Sequence, residues 1–147
     1  MSDFPLRLFA DDAAVRRIGY GLLECTLPRA QWTHEAHLAA CLWLLTERDD
    51  LQAERDLPDI IRRYNVSAGG VNDDTQGYHE TLTQLYIRGL RLFLAGCPET
   101  RLIERVNAAL SGPIAARDWP LRFYSRELLF SVTARRAWVA PDLCAIE

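Results

Sequence analysis

All three histidines of this 147-residue chain lie in two short segments rich in groups that can do chemistry. Residues 32–38 read Trp-Thr-His-Glu-Ala-His-Leu and include His34 and His37. Residues 77–81 read Gly-Tyr-His-Glu-Thr and include His79. Imidazole is the commonest metal-ligand side chain and the usual acid or base near neutral pH. The clustering therefore predicts one composite site built from two helices.

The i, i+3 spacing of His34 and His37 places both side chains on one face of a helix, about 5–6 Å apart at Cβ. With His79 they would form a His₃ or His₂-carboxylate centre for zinc, iron or manganese, with open coordination positions. Glu80 or Glu35 would serve as a further ligand or as the general base. Hydrolysis is the most general reaction class that can be assigned to such a site. The first two histidines are one residue too close for the His-Glu-x-x-His motif of zinc proteases.

Each histidine also lies in or near the predicted first turn of a helix. The positive end of the helix dipole favours the neutral ring there, which is the form that binds a metal or acts as a base. The same helix ends attract anions, so a small molecule carrying phosphate or carboxylate could dock beside the histidines. We expect Tyr78 and Arg135 to orient such a ligand.

A second hypothesis is a non-enzymatic module that binds a small molecule or a partner, with histidines that serve only the structure. His34 would then lie at the surface near a helix cap, and His37 would hydrogen-bond a carbonyl in the core. His79 would tie two helices together through Thr33 or a loop carbonyl. Ring nitrogens within about 4–5 Å of one point would support the metal hypothesis. Ring nitrogens pointed at different backbone carbonyls would count against it.

The composition favours one soluble domain over residues 1–147 and argues against several function classes. The net charge is −3 and all 17 basic residues are arginine, so no broad basic face for nucleic acid is expected. The longest apolar stretch, residues 38–45, is far shorter than the ~20 residues of a membrane helix. Four cysteines without Cys-x-x-Cys spacing, and no signal-peptide pattern in residues 1–5, predict a cytoplasmic protein with free thiols. Nothing in the composition indicates an oligomeric state.

Apolar residues recur at helical spacing and no segment alternates as a strand would, which predicts an all-α bundle of five to six helices. The predicted helices cover residues 11–23, 33–47, 51–64, 78–95 and 98–110, with two short ones at 125–130 and 133–139. The wide apolar coverage of the second helix predicts that it is central. Pro58 falls inside the third, so that helix is kinked there or begins near it, capped by Asp56 or Leu57. The later start is the preferred interpretation.

Two other regions carry polar groups that could belong to the site. Residues 65–77 form the longest predicted loop, and the Asn-Asp-Asp run at 72–74 either supplies oxygen ligands or, by preference, forms turns. Near the C-terminus, Arg135 and Arg136 follow further arginines and aromatic residues in 119–126. This basic-aromatic region is an anion clamp or, by preference, a set of arginines packed over aromatic side chains.

Three segments together resemble a family of small uncharacterised bacterial proteins with an aromatic-Thr-His-x-x-His-Leu motif and a Tyr-His-Glu-Thr motif. They are residues 32–38, 77–83 and 123–143, the last containing Phe-Tyr-Ser-Arg-Glu and Ala-Arg-Arg-Ala-Trp-Val-Ala-Pro-Asp-Leu. The resemblance implies a small, soluble, bacterial protein and no particular activity. It also adds Tyr124 to the candidate ligand-binding residues, together with Ser125, Arg135, Pro141 and Asp142.

Overall fold

Seven α-helices and three 3₁₀ turns form the regular structure of residues 7–147, the part of the chain that the computed structural model describes. The helices are α1 (Asp12–Leu23), α2 (His34–Glu47), α3 (Ala53–Ser67), α4 (Glu80–Ala95), α5 (Leu102–Leu110), α6 (Arg126–Leu129) and α7 (Val132–Arg136). The 3₁₀ turns are Arg29–Gln31, Pro113–Ala115 and Trp119–Arg122. These residues contain no β-strand, so the all-α prediction is confirmed, with slightly more helices than expected. The segment examined for a signal peptide lies outside the described residues.

Helix α2 lies at the centre of the bundle, as its apolar coverage predicts. It contacts α1, α3, α4 and α5. Its buried residues surround the helix instead of forming one stripe: Glu35, Ala36, Leu38, Ala39, Ala40, Cys41, Leu42, Trp43 and Leu44. A helix that is apolar all round is stable only inside a protein, so α2 serves as the scaffold on which the other helices pack.

The contact between α1 and α2 depends on a glycine. A Cβ atom on Gly19 would lie 2.2 Å from Cε3 of Trp43, which is too close for any side chain. The α1 backbone therefore packs directly on the indole of Trp43, whose side chain is almost completely buried. Val15, Ile18 and Leu22 complete this face of α1 and belong to the same hydrophobic core.

Helix α3 runs through Pro58, so the preferred prediction of a start near that residue is wrong. Proline lacks the N–H that would donate to the carbonyl four residues earlier, which here belongs to Glu54. The side chain of Gln84 on α4 supplies this donor instead, with Nε2 3.0 Å from the Glu54 oxygen. A hydrogen bond from a neighbouring helix thus offsets the bond that proline removes.

Side-chain caps define where several helices begin. Asp11 and Thr33 accept hydrogen bonds from backbone N–H groups and begin α1 and α2 at the predicted positions. Helix α5 begins later than predicted, and its first turn is capped from another helix. Asp12 Oδ1 on α1 accepts the Ile103 N–H at 2.8 Å, a contact that no local sequence pattern indicates.

The two C-terminal helices are shorter than predicted, and each begins after a serine cap. The hydroxyls of Ser125 and Ser131 accept the N–H groups of Leu128 and Ala134. Past α7 the backbone at Ala137 is extended, with φ −149° and ψ 158°. The chain therefore leaves the helix at this point and packs along the start of α4.

Two further observations concern the chain as a whole. All four cysteines carry free thiols, as predicted. Among residues 7–147, no helix combines the length and the apolar character that crossing a membrane would require.

Candidate ligand-binding site

The three histidines line a single cavity of about 400 Å³ between α2, α3 and α4. Cavities that bind small organic molecules usually have volumes of roughly 300–1,000 Å³. Most of the lining is apolar or aromatic: Trp32, His34, His37, Leu38, Ala40, Cys41, Leu57, Ile61, Asn65, Gly77, Tyr78, His79, Leu82, Thr83, Tyr86 and Arg117. The structure thus places His34, His37 and His79 around one space.

Two helices contribute matching stripes of side chains to this cavity. The α2 stripe comprises His34, His37, Leu38 and Cys41. The stripe at the start of α4 comprises His79, Leu82, Thr83 and Tyr86. Both follow the i, i+3, i+4, i+7 spacing of one helix face. The lining of the third wall, on α3, comprises Leu57, Ile61 and Asn65.

His34 is the first residue of α2 and is half-buried. Its Nε2–H donates to the Ala115 carbonyl at 2.9 Å, which ties α2 to the 3₁₀ turn after α5. Because a carbonyl can only accept, Nε2 carries a proton, and in the neutral ring the lone pair is then on Nδ1. The ring also contacts Tyr86 edge-on, with the ring centroids 6.3 Å apart.

His37 is held by its own helix and by a tryptophan. Its Nδ1–H donates to the Thr33 carbonyl at 2.7 Å, and its ring stacks on Trp32 with centroids 3.8 Å apart. Nε2 is then unprotonated, and it has no hydrogen-bond partner among residues 7–147. His37 is an exposed residue that lines the cavity, and desolvation by the protein around its ring lowers the pKa of His37 to about 4. His37 therefore presents a neutral acceptor to the cavity at neutral pH.

His79 has no nitrogen left for a ligand. It is the N-cap of α4, where its Nδ1 accepts the Leu82 N–H at 3.1 Å while Nε2–H donates to the Leu129 carbonyl at 2.7 Å. Burial of this ring lowers its pKa. Metal binding needs a free nitrogen lone pair, so the predicted role of His79 as a metal ligand does not fit this arrangement. The ring instead joins α4 to α6.

The histidine nitrogens do not converge on one point. The three rings donate to different backbone carbonyls, those of Ala115, Thr33 and Leu129, as structural histidines are expected to do. Within residues 7–147, no group of three or more His, Cys, Asp or Glu side chains is placed to hold a metal ion. His34 and His37 each keep one unused nitrogen, fewer in total than the three protein ligands typical of catalytic zinc.

The two candidate catalytic carboxylates lie outside this cavity. Glu80 accepts a hydrogen bond from the Tyr78 hydroxyl and lines a second cavity, of about 420 Å³, on another face of α4. Glu35 is buried and does not line the histidine cavity, and its Oε2 has no hydrogen-bond partner within residues 7–147. Neither carboxylate lines the histidine cavity, and the roles of Glu35 and Glu80 as ligand or base stay predictions.

Of the predicted ligand-binding residues Tyr78, Arg135 and Tyr124, only Tyr78 lines the cavity, and Ser125, Pro141 and Asp142 do not line it. Arg135 donates from Nη1 to the carbonyls of Gly77 and Tyr78, at 3.0 and 3.2 Å, and so supports the loop beside the cavity. Tyr124 is completely buried and donates to the Val139 carbonyl at 2.6 Å. Arg135 and Tyr124 therefore stabilise the C-terminal part of the fold and do not contact the cavity.

The Tyr-His-Glu-Thr segment fastens the C-terminal region to α4. Thr81, which is fully buried, donates from Oγ1 to the Ala137 carbonyl and accepts the Val139 N–H. Farther along, Asp142 accepts hydrogen bonds from both the backbone and the hydroxyl of Ser125. The resemblance motifs at 77–83 and 123–143 thus meet in space as structural partners.

The loop before α4 is organised by one asparagine. Asn72 Oδ1 accepts from Asn65 Nδ2 and from the Tyr78 N–H, while its Nδ2 donates to the Arg62 carbonyl. Gly77 has a φ of +80°, and a Cβ atom there would lie 2.2 Å from a backbone oxygen. The preferred interpretation of this run as turn-forming residues is confirmed, and the loop places Tyr78 at the cavity wall.

Trp32, Tyr86 and Arg117 are among the lining residues that are not predicted as site residues from the sequence. Trp32 lies inside the first motif, and only the structure reveals its stack on His37. Tyr86 continues the helical stripe that begins at His79, so extending that stripe by two turns would have found it. Arg117 comes from the segment after α5, and no local pattern connects it to the histidines.

The charge balance of the cavity disfavours cations. Its lining contains no carboxylate among the described residues, and Arg117 is the one lining side chain with a permanent charge. Burial raises the pKa of Tyr86, the nearby positive charge of Arg117 opposes this rise, and the negative charge of Asp118 adds to it. A mostly apolar lining without a carboxylate among residues 7–147 favours a neutral ligand over a positively charged one.

Comparisons with protein-family models, curated proteins and solved structures found no match for this chain. The resemblance to the small bacterial family therefore stays a prediction. What the cavity can bind has to be inferred from its own residues.

Proposed function

We propose that the protein binds a small, largely apolar organic molecule in the histidine-lined cavity, with His37 Nε2 accepting its hydrogen bond. One observation carries this proposal: a neutral imidazole in a cavity of ligand size has one nitrogen fixed by Thr33 and the other unused. No residue of 7–147 occupies the Nε2 lone pair, so a ligand donor can bind it without breaking a protein hydrogen bond. One such hydrogen bond contributes about 0.5–1.5 kcal/mol.

The rest of the lining supports the same function. Apolar walls supply affinity in small-molecule sites, and a few fixed polar groups supply orientation. Trp32 and Thr33 hold the His37 ring in place before any ligand arrives. Little side-chain entropy is therefore lost when a ligand binds, which favours affinity.

The probe 2-naphthol tests the proposal, because it combines a planar apolar body with one hydroxyl donor and is fluorescent. We expect saturable binding to the wild-type protein. Ile61→Phe, which fills the α3 wall of the cavity, should abolish it. Val66→Phe is the matched control on an exposed position of the same helix and should bind normally.

His37→Phe removes the acceptor and keeps a ring that can stack on Trp32. Loss of one hydrogen bond should weaken 2-naphthol binding about five- to tenfold. An absence of saturable binding, or equal binding by wild type and Ile61→Phe, would show that the cavity does not hold the probe and would refute the proposal.

A metal-dependent hydrolase is the alternative proposal, supported by the unused nitrogens of His34 and His37 in the same cavity. Metal analysis of protein purified without a histidine tag tests it. Stoichiometric zinc, iron or manganese that is lost in His34→Ala and His37→Ala would favour this alternative. Sub-stoichiometric metal that is unchanged in these variants and in His79→Ala would contradict it.

Origin and location belong to the same proposal. We propose a bacterial, cytoplasmic protein, as the sequence predicts, because free thiols persist in a reducing compartment. Retention of 2-naphthol binding in a reducing buffer is the expected behaviour of such a protein.

A further inference from the structure

We infer that the ligand is a planar aromatic molecule with a hydroxyl or N–H donor at one end, a carbonyl-type acceptor at the other, and no positive charge. This inference rests on the proposed function and names the class of molecule that the cavity takes. It follows from two of the polar groups that line the cavity, Nε2 of His37 and the hydroxyl of Tyr86. His37 offers an acceptor, and Tyr86 offers a donor.

The acceptor of His37 is fixed by the backbone. Its Nδ1–H is committed to the Thr33 carbonyl, so Nε2 carries a lone pair and cannot donate while the ring is neutral. The Trp32 indole, stacked on the ring at a centroid distance of 3.8 Å, prevents the ring from turning freely. A ligand that binds beside Nε2 must therefore bring a hydrogen-bond donor.

The donor of Tyr86 is available to a ligand. Its hydroxyl has no hydrogen-bond partner among residues 7–147, and it is not enclosed by protein. Burial of the ring raises the pKa of Tyr86, so the hydroxyl stays protonated at neutral pH. Contacts with His34 and Trp119, at centroid distances of 6.3 and 5.1 Å, hold the ring in place. A ligand beside this hydroxyl is favoured when it brings an acceptor.

The walls between these two polar groups are apolar. Leu38 and Cys41 on α2 face Leu82 on α4 across the cavity. The Tyr86 ring contacts His34, which lies one helical turn before His37 on α2. The donor of Tyr86 and the acceptor of His37 therefore lie at different positions along the α2 wall. A flat aromatic body with polar groups at its two ends matches this sequence of donor, apolar wall and acceptor. Among residues 7–147, no carboxylate lines this cavity to pair with a cationic end group.

Four probes of nearly equal size separate these requirements. They are 4-hydroxyacetophenone, which has donor and acceptor, acetophenone, which lacks the donor, 4-ethylphenol, which lacks the acceptor, and tyramine, which carries a cation. Titration calorimetry should show that 4-hydroxyacetophenone binds about five- to tenfold more tightly than acetophenone or 4-ethylphenol. Tyramine should bind most weakly of the four.

Variants then assign each preference to a side chain. Tyr86→Phe should remove the advantage over 4-ethylphenol and keep the advantage over acetophenone. His37→Phe should do the reverse, and His37→Leu, which also lacks an acceptor, repeats that test if the phenylalanine variant folds poorly. Tyr20→Phe, at an exposed tyrosine on α1, is the matched control and should change neither preference.

The outcomes of the two experiments are distinguishable. Equal affinities for the first three probes, a preference for tyramine, or preferences that persist in both variants would overturn the inference. If 2-naphthol still binds and Ile61→Phe still removes it, the proposed function survives that result. If 2-naphthol does not bind, the proposed function fails, and the inference fails with it.

Discussion

The three histidines differ in how many of their ring nitrogens form hydrogen bonds with backbone groups. The backbone uses both nitrogens of His79 and one nitrogen each of His34 and His37. The same side chain therefore serves as a helix cap in one place and as a cavity group in another. All three are histidines near the start of a helix. Their roles differ because their hydrogen-bond partners differ.

The cap role of His79 predicts a large effect on stability. His79→Ala leaves the Leu82 N–H and the Leu129 carbonyl without partners and should lower the free energy of unfolding by about 2–3 kcal/mol. His79→Asn should recover about 1 kcal/mol, because asparagine is a good N-cap. Urea denaturation measures both values. Asp11→Ala, an exposed cap on α1, is the control and should cost about 1 kcal/mol, so an equal loss in His79→Ala would contradict the structure.

The lowered pKa of His37 predicts a specific pH dependence. Between about pH 6.5 and pH 4, the unfolded chain protonates this ring while the folded protein keeps it neutral. Unfolding then takes up a proton, so the free energy of unfolding falls as the pH decreases through this window. The charged or titratable side chains that line the same cavity are His34, Cys41, Tyr78, His79, Tyr86 and Arg117.

His37→Phe should remove part of this acid-side loss, and urea unfolding at several pH values checks it. The remaining loss comes from His79, whose pKa burial also lowers, and from paired carboxylates. Identical pH profiles for wild type and His37→Phe would mean that the ring is solvated as in the unfolded chain.

The sequence predicts which residues line the cavity only where the spacing along one helix places them on the same face. The i, i+3 spacing of His34 and His37 correctly places both on one wall of the cavity. Their hydrogen-bond partners are another matter, because Ala115 lies 81 residues from His34 and Leu129 lies 50 residues from His79. Histidine is also an uncommon N-cap, so the role of His79 follows from tertiary packing and not from propensity.

At the scale of elements, the start of α4 organises the C-terminal third of the chain. Thr81 supplies one oxygen that both donates to Ala137 and accepts from Val139. One side-chain hydroxyl thus pairs two backbone groups that a neighbouring strand would otherwise have to pair. The extended segment after α7 depends on this contact for its register.

Thr81→Val tests that dependence with a side chain of nearly the same shape. It leaves the part-buried Ala137 carbonyl and Val139 N–H without this partner, so we expect a loss of about 1 kcal/mol in unfolding free energy. Hydrogen exchange at the Val139 amide should accelerate more than exchange within α2. Thr75→Val, in the exposed loop before α4, should change stability by less than about 0.5 kcal/mol. Unchanged exchange at Val139 would show that another contact holds the segment.

The elements also show where sequence periodicity succeeds and where it fails. The caps of α1 and α2 depend on residues within the same turn, so Asp11 and Thr33 mark both starts correctly. The start of α3 depends on Gln84, which lies 30 residues from the carbonyl it satisfies. From the sequence alone, a proline predicts a break in the helix, because the donor that replaces its missing N–H lies on another helix.

At the scale of the whole molecule, the cavity owes its shape to a close approach between α4 and the segment after α5. A Cβ atom on Gly89 would lie 2.5 Å from Cη2 of Trp119, so the indole rests on the backbone of α4. Trp119 in turn packs on Tyr86, which lines the cavity. Gly89 therefore determines how closely Trp119 packs on α4, and through Trp119 it positions Tyr86, the proposed donor.

Gly89→Ala should destabilise the protein by about 1–3 kcal/mol through overpacking, although alanine is the better helix former by about 1 kcal/mol. It should also weaken 2-naphthol binding, because the shift of Trp119 displaces Tyr86. Gly96→Ala is the control, since a Cβ there meets nothing within 4 Å. Chemical denaturation and fluorescence titration measure both effects, and equal stability of the two variants would contradict the close approach.

The bonds from the imidazole N–H groups to backbone carbonyls make the protein its own spectroscopic sensor. A ring N–H held by a carbonyl is protected from exchange with water, so each of the three histidines should give its own slowly exchanging proton resonance. The ¹⁵N shifts of the ring nitrogens would report the tautomer of each ring directly. Filling the cavity should move the Nε2 signal of His37 and leave both nitrogens of His79 unchanged. Occupancy could thus be followed without a substrate or an activity assay.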